Sequence, residues 1–195
     1  MQALLVSATV VALAEIGDKT QILSLILAAR YRRPVPIILG VLVATLANHA
    51  IAGGLGTWLA SALDPALLNW IVVASFVLMA GWVLVPDKLT EEQVTVPKRS
   101  LGVFGTTLFT FFLAEMGDKT QVVTVALAAR FHDFFGVVAG TTLGMMLANI
   151  PVIYLGHRFA DRLPARTIHI VAAIAFVLLG GLALRNALAG TSLGP

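Results

Sequence analysis

The sequence predicts an all-α integral membrane protein of six transmembrane helices, arranged as two inverted three-helix repeats. Three observations carry that prediction. Of the residues, 58% are hydrophobic and only 12% charged, with a mean hydropathy of +0.93, whereas about a quarter are charged in an ordinary soluble domain. Apolar runs long enough to cross a bilayer, which takes about 20 residues, recur six times and leave no room for a soluble domain. The chain also matches itself when shifted by 100 positions, the mark of an internal repeat.

The runs lie at about residues 2–29, 36–61, 66–86, 101–129, 134–160 and 167–189. The first could pass for a secretory leader, because VVALAE offers an A-x-A-like site. It has no Lys or Arg before Lys19, and its counterpart at 101–129 is internal, so it is expected to be retained. The second run holds Asn48 and His49, and its Gly53, Gly54 and Gly56, like Gly180 and Gly181 in the sixth, read as tight helix packing. Trp58, Trp70 and Trp82 fall near span ends and read as interface anchors. His132, His157 and His169 read as interfacial. Arg30 and Arg130 read as snorkelling at helix C-termini, favoured by the dipole.

The repeat divides the chain into a first unit at 1–86, a polar linker at 87–100 and a second unit at 101–195. Glu15, Gly17, Asp18, Lys19, Thr20 and Gln21 match Glu115, Gly117, Asp118, Lys119, Thr120 and Gln121. Gly40 matches Gly140, and Phe76 to Leu78 match Phe176 to Leu178; Leu46–Asn48 recurs one residue out of step as Leu147–Asn149. Three spans per unit is an odd number. A three-span unit ends on the side opposite to its start, so a short linker forces the second unit in upside down, as in many secondary transporters. The basic residues orient the whole. Arg30, Arg32, Arg33, Lys88, Lys98, Arg99, Arg158, Arg162 and Arg166 fall on one side, against Arg130 and Arg185 on the other. The first side is then cytoplasmic and both termini are not. Placement at helix ends, rather than in a basic stripe, argues against a nucleic-acid partner despite the net charge of +3.

Of the ten acidic residues, Glu15, Asp18, Glu115 and Asp118 lie in apolar surroundings near the middle of the first and fourth spans. Intramembrane carboxylates are costly and default to function. Read as continuous helix, Glu and Asp at i and i+3 share a face, and Lys19 four residues after Glu15 has the favourable ion-pair spacing. Gly17 and Gly117 beside the acids let the helix bend or backbones approach. Inverted symmetry brings the two pairs together at the midplane. Thr20, Gln21, Thr120 and Gln121 add oxygen ligands. Asn48 and Asn149 either supply more or hydrogen-bond between helices. Ser24 and Thr124 either line the path or bond their own backbone. With no cysteine in the chain, a cage of oxygens suits calcium, magnesium or manganese. Two motifs with Lys19 and Lys119 protonated carry a net charge of minus two, which one divalent cation neutralises. When that cation leaves, protons are the natural replacement, so metal–proton exchange is expected.

AEIGDKT and AEMGDKT resemble the E-x-G-D-[KR]-[TS] signature of the GDT family of small manganese/calcium exchangers. The resemblance covers both motifs and the six-span plan. It implies export or sequestration of Mn2+ or Ca2+ with proton antiport, and essential roles for Glu15, Gly17, Asp18, Lys19, Thr20 and their partners Glu115, Gly117, Asp118, Lys119 and Thr120. The absence of the N-terminal extension of eukaryotic members implies the plasma (inner) membrane of a bacterium. No catalytic residue and no cofactor are expected: the G-x-G-D of intramembrane proteases is missing, since Glu precedes Ile16 and Met116. A channel fits a compact cage poorly. The wider group of three-plus-three exporters leaves an alternative, an amino-acid exporter in which Lys19 and Lys119 bind a carboxylate. Mn2+ leads Ca2+ as substrate; Met145 and Met146 tilt toward the softer ion. Oligomeric state is not legible.

Overall fold

The computed structural model describes residues 1–85, 101–155 and 165–189, without the side chains of 155 and 165–168. Among these, every regular element is a helix: α1 Gln2–Glu15, α2 Lys19–Tyr31, α3 Pro34–Ala62, α4 Pro65–Trp82, α5 Gly102–Glu115, α6 Lys119–Phe131, α7 Phe134–Leu155 and α8 Ala165–Leu188. The linker 87–100 and the basic residues Lys88, Lys98, Arg99, Arg158 and Arg162, with His157, lie outside the described residues.

Among the described residues four helices are long and apolar enough to cross a membrane: Pro34–Ala62, Pro65–Trp82, Phe134–Tyr154 and His169–Leu188, with mean hydropathies of 2.0, 1.7, 1.6 and 2.0. The first and fourth expected spans differ from expectation. Each is two shorter helices separated by a break, at Ile16–Asp18 and at Met116–Asp118. The physical reason is local. Gly17 and Gly117 take φ of +85° and +75°, a left-handed conformation that costs glycine little and stops a right-handed helix. Ile16 and Asp18 are extended on either side. Glu15 and Asp18 therefore do not share a helical face. Glu15 ends α1, and Asp18 sits just before the first residue of α2.

Other ends are set by familiar chemistry. Asp64 caps α4 by accepting hydrogen bonds from the N–H groups of Ala66 and Leu67, at 2.9 and 3.3 Å, with Pro65 at the first helical position. Asp133 accepts from the Gly136 N–H at 2.8 Å at the start of α7. Arg32 and His132 close α2 and α6 in the left-handed region, their N–H groups bonding Ala28 and Ala128 carbonyls.

The two halves interlock. α1 packs along α7 and α5 along α3, so the first helix of each half lies against the long middle helix of the other; α4 packs on α8. Phe76 and Phe176 meet there, ring centroids 6.4 Å apart. The outer faces of α4 and α8 expose Trp70, Val77, Leu78, Ile174, Val177 and Leu178, as a lipid-facing surface does.

Glycine makes the α1–α7 approach possible. A Cβ placed on Gly144 would stand 2.5 Å from the Ala8 carbonyl oxygen and 2.9 Å from the Ala12 nitrogen. These are backbone atoms that cannot yield separately from the helix. Gly144→Val is expected to lose well over the usual cost of overpacking, about 1–3 kcal/mol, and to abolish the monodisperse peak in size-exclusion chromatography. Gly54→Ala, where nothing lies within 4 Å, is expected to leave that peak unchanged.

Candidate metal centre

The breaks place the motif side chains in the interior. Glu15, Asp18, Glu115 and Asp118 are all buried, as are Lys19 and Lys119. One carboxylate oxygen each from Glu15, Glu115 and Asp118 lie within 4.8 Å of one another, close enough to hold one ion. The two motifs, 100 residues apart, thus meet at a shared point.

The lysines pair across the halves. Lys19 Nζ lies 3.1 Å from Asp118 Oδ1, and Lys119 Nζ lies 3.2 Å from Asp18 Oδ1. This corrects the expected Lys19–Glu15 pair. That pair needed an unbroken helix, and the break puts the two residues on different helices. Asp18 and Asp118 stand at the cap positions of α2 and α6, yet their side chains make no capping hydrogen bond; each is turned to the lysine of the other half. Lys119 also donates to the Val85 carbonyl at 3.3 Å.

The remaining motif residues hold this arrangement. Thr20 and Thr120 hydroxyls donate to Glu15 Oε2 and Glu115 Oε2, at 2.6 and 3.0 Å. The other Glu115 oxygen, Oε1, is buried and has no hydrogen-bond partner among the described residues, an acceptor open to a cation. Gln21 Oε1 accepts the Gly17 N–H, and Gln121 Oε1 accepts the Gly117 N–H, each at 2.9 Å. Each glutamine therefore staples its own break. Gln21 Nε2 then donates to the Ala148 carbonyl on α7 at 2.9 Å, and Gln121 Nε2 to Asn48 Oδ1 on α3 at 3.1 Å. Asn48 donates onward to the Phe112 carbonyl at 3.1 Å. Asn149 Oδ1 accepts from the Ser24 hydroxyl at 2.6 Å, and its amide donates to the Met145 carbonyl and sulfur. Both asparagines link helices in this geometry. Ser24 reaches Asn149, whereas Thr124 bonds the Thr120 carbonyl of its own helix at 2.7 Å.

Sequence reasoning missed His169. Read as interfacial, it is buried, and its Nε2 lies 2.7 Å from the Ile16 carbonyl at the first break. One signal pointed to it: at the repeat offset, position 169 corresponds to Asn69, another polar residue in an apolar run.

An oxygen-only cluster of three carboxylates with two lysines alongside can hold a hard divalent cation and can take up protons in its place. Comparison with known proteins agrees. The family described as "Divalent cation/proton antiporter GDT1" matches residues 3–91 and again 103–191. The chain is 51% identical over 180 residues, 92% of its length and 88% of the relative's, to a Vibrio cholerae protein named "Putative manganese exporter". It is 30% identical over 188 residues, 86% of this chain and 89% of the relative, to GDT1-like protein sll0615 of Synechocystis. It is 26% identical over 200 residues to GDT1-like protein 3 of Arabidopsis thaliana, covering 90% of this chain and 68% of that one. No solved structure matches. The chain is a multi-pass membrane protein and belongs to the divalent cation/proton antiporter GDT1 family.

Proposed function

We propose that the protein exports a divalent cation, Mn2+ first and Ca2+ second, in exchange for protons across a bacterial inner membrane. One observation carries the reading: carboxylates of Glu15, Glu115 and Asp118 share one ion-sized point. With Asp18, Lys19 and Lys119 counted, four negative and two positive charges leave minus two, the complement of one divalent cation or two protons. The name of the Vibrio cholerae relative supports manganese. Membership of an antiporter family supports a transporter rather than an enzyme.

On this reading each broken pair, α1 with α2 and α5 with α6, makes one crossing, giving six spans in two inverted repeats at 1–86 and 101–195 around the linker 87–100. The family's two successive matches and the reciprocal packing of α1 on α7 and α5 on α3 support that plan. The termini lie outside the cytoplasm. The site is approached from one side at a time. Lys19 is 11% exposed against 3% for Lys119, and a cavity of about 180 Å³ lined by Ile16, Gln21, Ala148 and Pro151 opens beside the first break. The amino-acid alternative is weakened, because each lysine already faces an aspartate and offers a substrate carboxylate no separate cation.

Proteoliposomes loaded with a pH-sensitive dye test the reading. A Mn2+ gradient is expected to change lumenal pH in step with metal movement, Ca2+ competing and Mg2+ serving as control. Mn2+ flux indifferent to an imposed proton gradient would overturn it.

A further inference from the structure

The Ile16 carbonyl and the Gly17 N–H belong to a single peptide unit, and that unit is held at both ends. His169 Nε2, on α8, meets the carbonyl at 2.7 Å, and Gln21 Oε1, on α2, meets the N–H at 2.9 Å. A carbonyl can only accept, so the His169 ring carries its proton on Nε2 here. This peptide lies between Glu15 and Asp18, with Gly17 at a φ of +85°. A glycine peptide free of such bonds can rotate at little steric cost, and its rotation would re-aim the two carboxylates that flank it. α8 bears no part of either motif, yet it packs on α1 and supplies this donor.

We propose that His169 is a positioning residue: it clamps the Ile16–Gly17 peptide to α8 and so sets where Glu15 and Asp18 stand. The ring works as a hydrogen-bond donor from a buried position. Asn69, at the corresponding place in the first half, is also buried and also carries a side-chain donor. A glutamine at 169, whose Nε2 reaches about as far from the backbone as the imidazole Nε2, should therefore serve, while a side chain without a donor should not. The consequence for transport rests on the cation–proton exchange proposed above; the consequence for the break does not.

Hydrogen–deuterium exchange of the full-length protein in detergent tests the clamp directly. In His169→Phe, which keeps the ring volume, and His169→Ala, which leaves nothing to misfit, peptides covering 14–22 are expected to exchange at least about tenfold faster, the scale of one lost buried hydrogen bond. Peptides of α3 and α4 should keep wild-type protection, and His169→Gln should restore the break. Unchanged exchange at 14–22, a uniform loss of protection across the chain, or a folded His169→Gln with an unprotected break would each overturn the proposal. In proteoliposomes His169→Phe should raise the KM for Mn2+ about tenfold, within the range for loss of an outer-shell partner, with His169→Gln near wild type. An active wild type with an unshifted KM in His169→Phe overturns the link to the site. A wild type without exchange would instead fault the transport reading, and the amide-exchange result would still decide the clamp.

Discussion

Glu115→Gln is expected to abolish Mn2+–proton exchange while leaving the protein folded. Glu115 donates one oxygen to the three-carboxylate cluster and keeps another buried without a hydrogen-bond partner among the described residues. The amide of glutamine is the same size, and its oxygen can still accept from the Thr120 hydroxyl that now meets Oε2 at 3.0 Å. No lysine is left stranded, because both pair with aspartates. What disappears is one negative charge and one strong oxygen ligand. Since outer-shell partners alone are worth about 10–100-fold in metal affinity or activity, loss of this ligand should exceed about 100-fold in transport. Glu15→Gln should behave alike, as Thr20 supports it in the same way. The measurement is Mn2+ uptake into dye-loaded proteoliposomes, with the thermal midpoint of the purified variant as the folding control. Transport within a few-fold of wild type by a folded Glu115→Gln would remove this carboxylate from the site.

Much of that site was legible because the chain states it twice. AEIGDKTQ and AEMGDKTQ set charged residues in apolar runs where each is expensive. Duplication at the same offset made a shared meeting point the simplest way to satisfy both, and three of the four carboxylates, those of Glu15, Glu115 and Asp118, share one, with Asp18 paired to Lys119 beside it. A bend at the glycines was legible as a possibility, but a full break was not. A single glycine in an apolar run fits a continuous helix, and a hydropathy window slides across Gly17 unaware of its φ. From that one omission came the wrong partner for Lys19, since i, i+4 spacing has meaning only inside a helix. The glutamines looked like ligands because their chemistry allows it. Their oxygens instead accept the amides that the break leaves without helical partners, a role that exists only once the break does. His169 stayed hidden for a different reason. Its partner is a backbone carbonyl 153 positions away, and backbone groups leave no trace in a sequence pattern.

The crossed lysine–aspartate pairs separate a cargo site from charged helix glue. Lys119→Met is expected to destabilise the protein by about 3–5 kcal/mol, the cost of leaving one member of a buried ion pair behind, because Asp18 would keep a buried charge without its lysine, the pair being only 3% exposed. Lys19→Met should cost about as much, because the Asp118 it leaves behind is only 2% exposed although Lys19 itself is 11% exposed. Each loss should be largely recovered by neutralising the partner: Lys119→Met with Asp18→Asn, and Lys19→Met with Asp118→Asn. Coupling of this kind appears in a double-mutant cycle on thermal or denaturant midpoints. Transport should not follow stability back. Both double variants keep a site charge of minus two, yet each lacks a carboxylate oxygen that the exchanged ion or proton would use. Helix glue predicts the reverse, because two neutral side chains of similar size pack as well as an ion pair and nothing else would be missing. A double variant that regains stability and also exchanges Mn2+ for protons at the wild-type rate would make that crossed pair structural and remove its aspartate from the site.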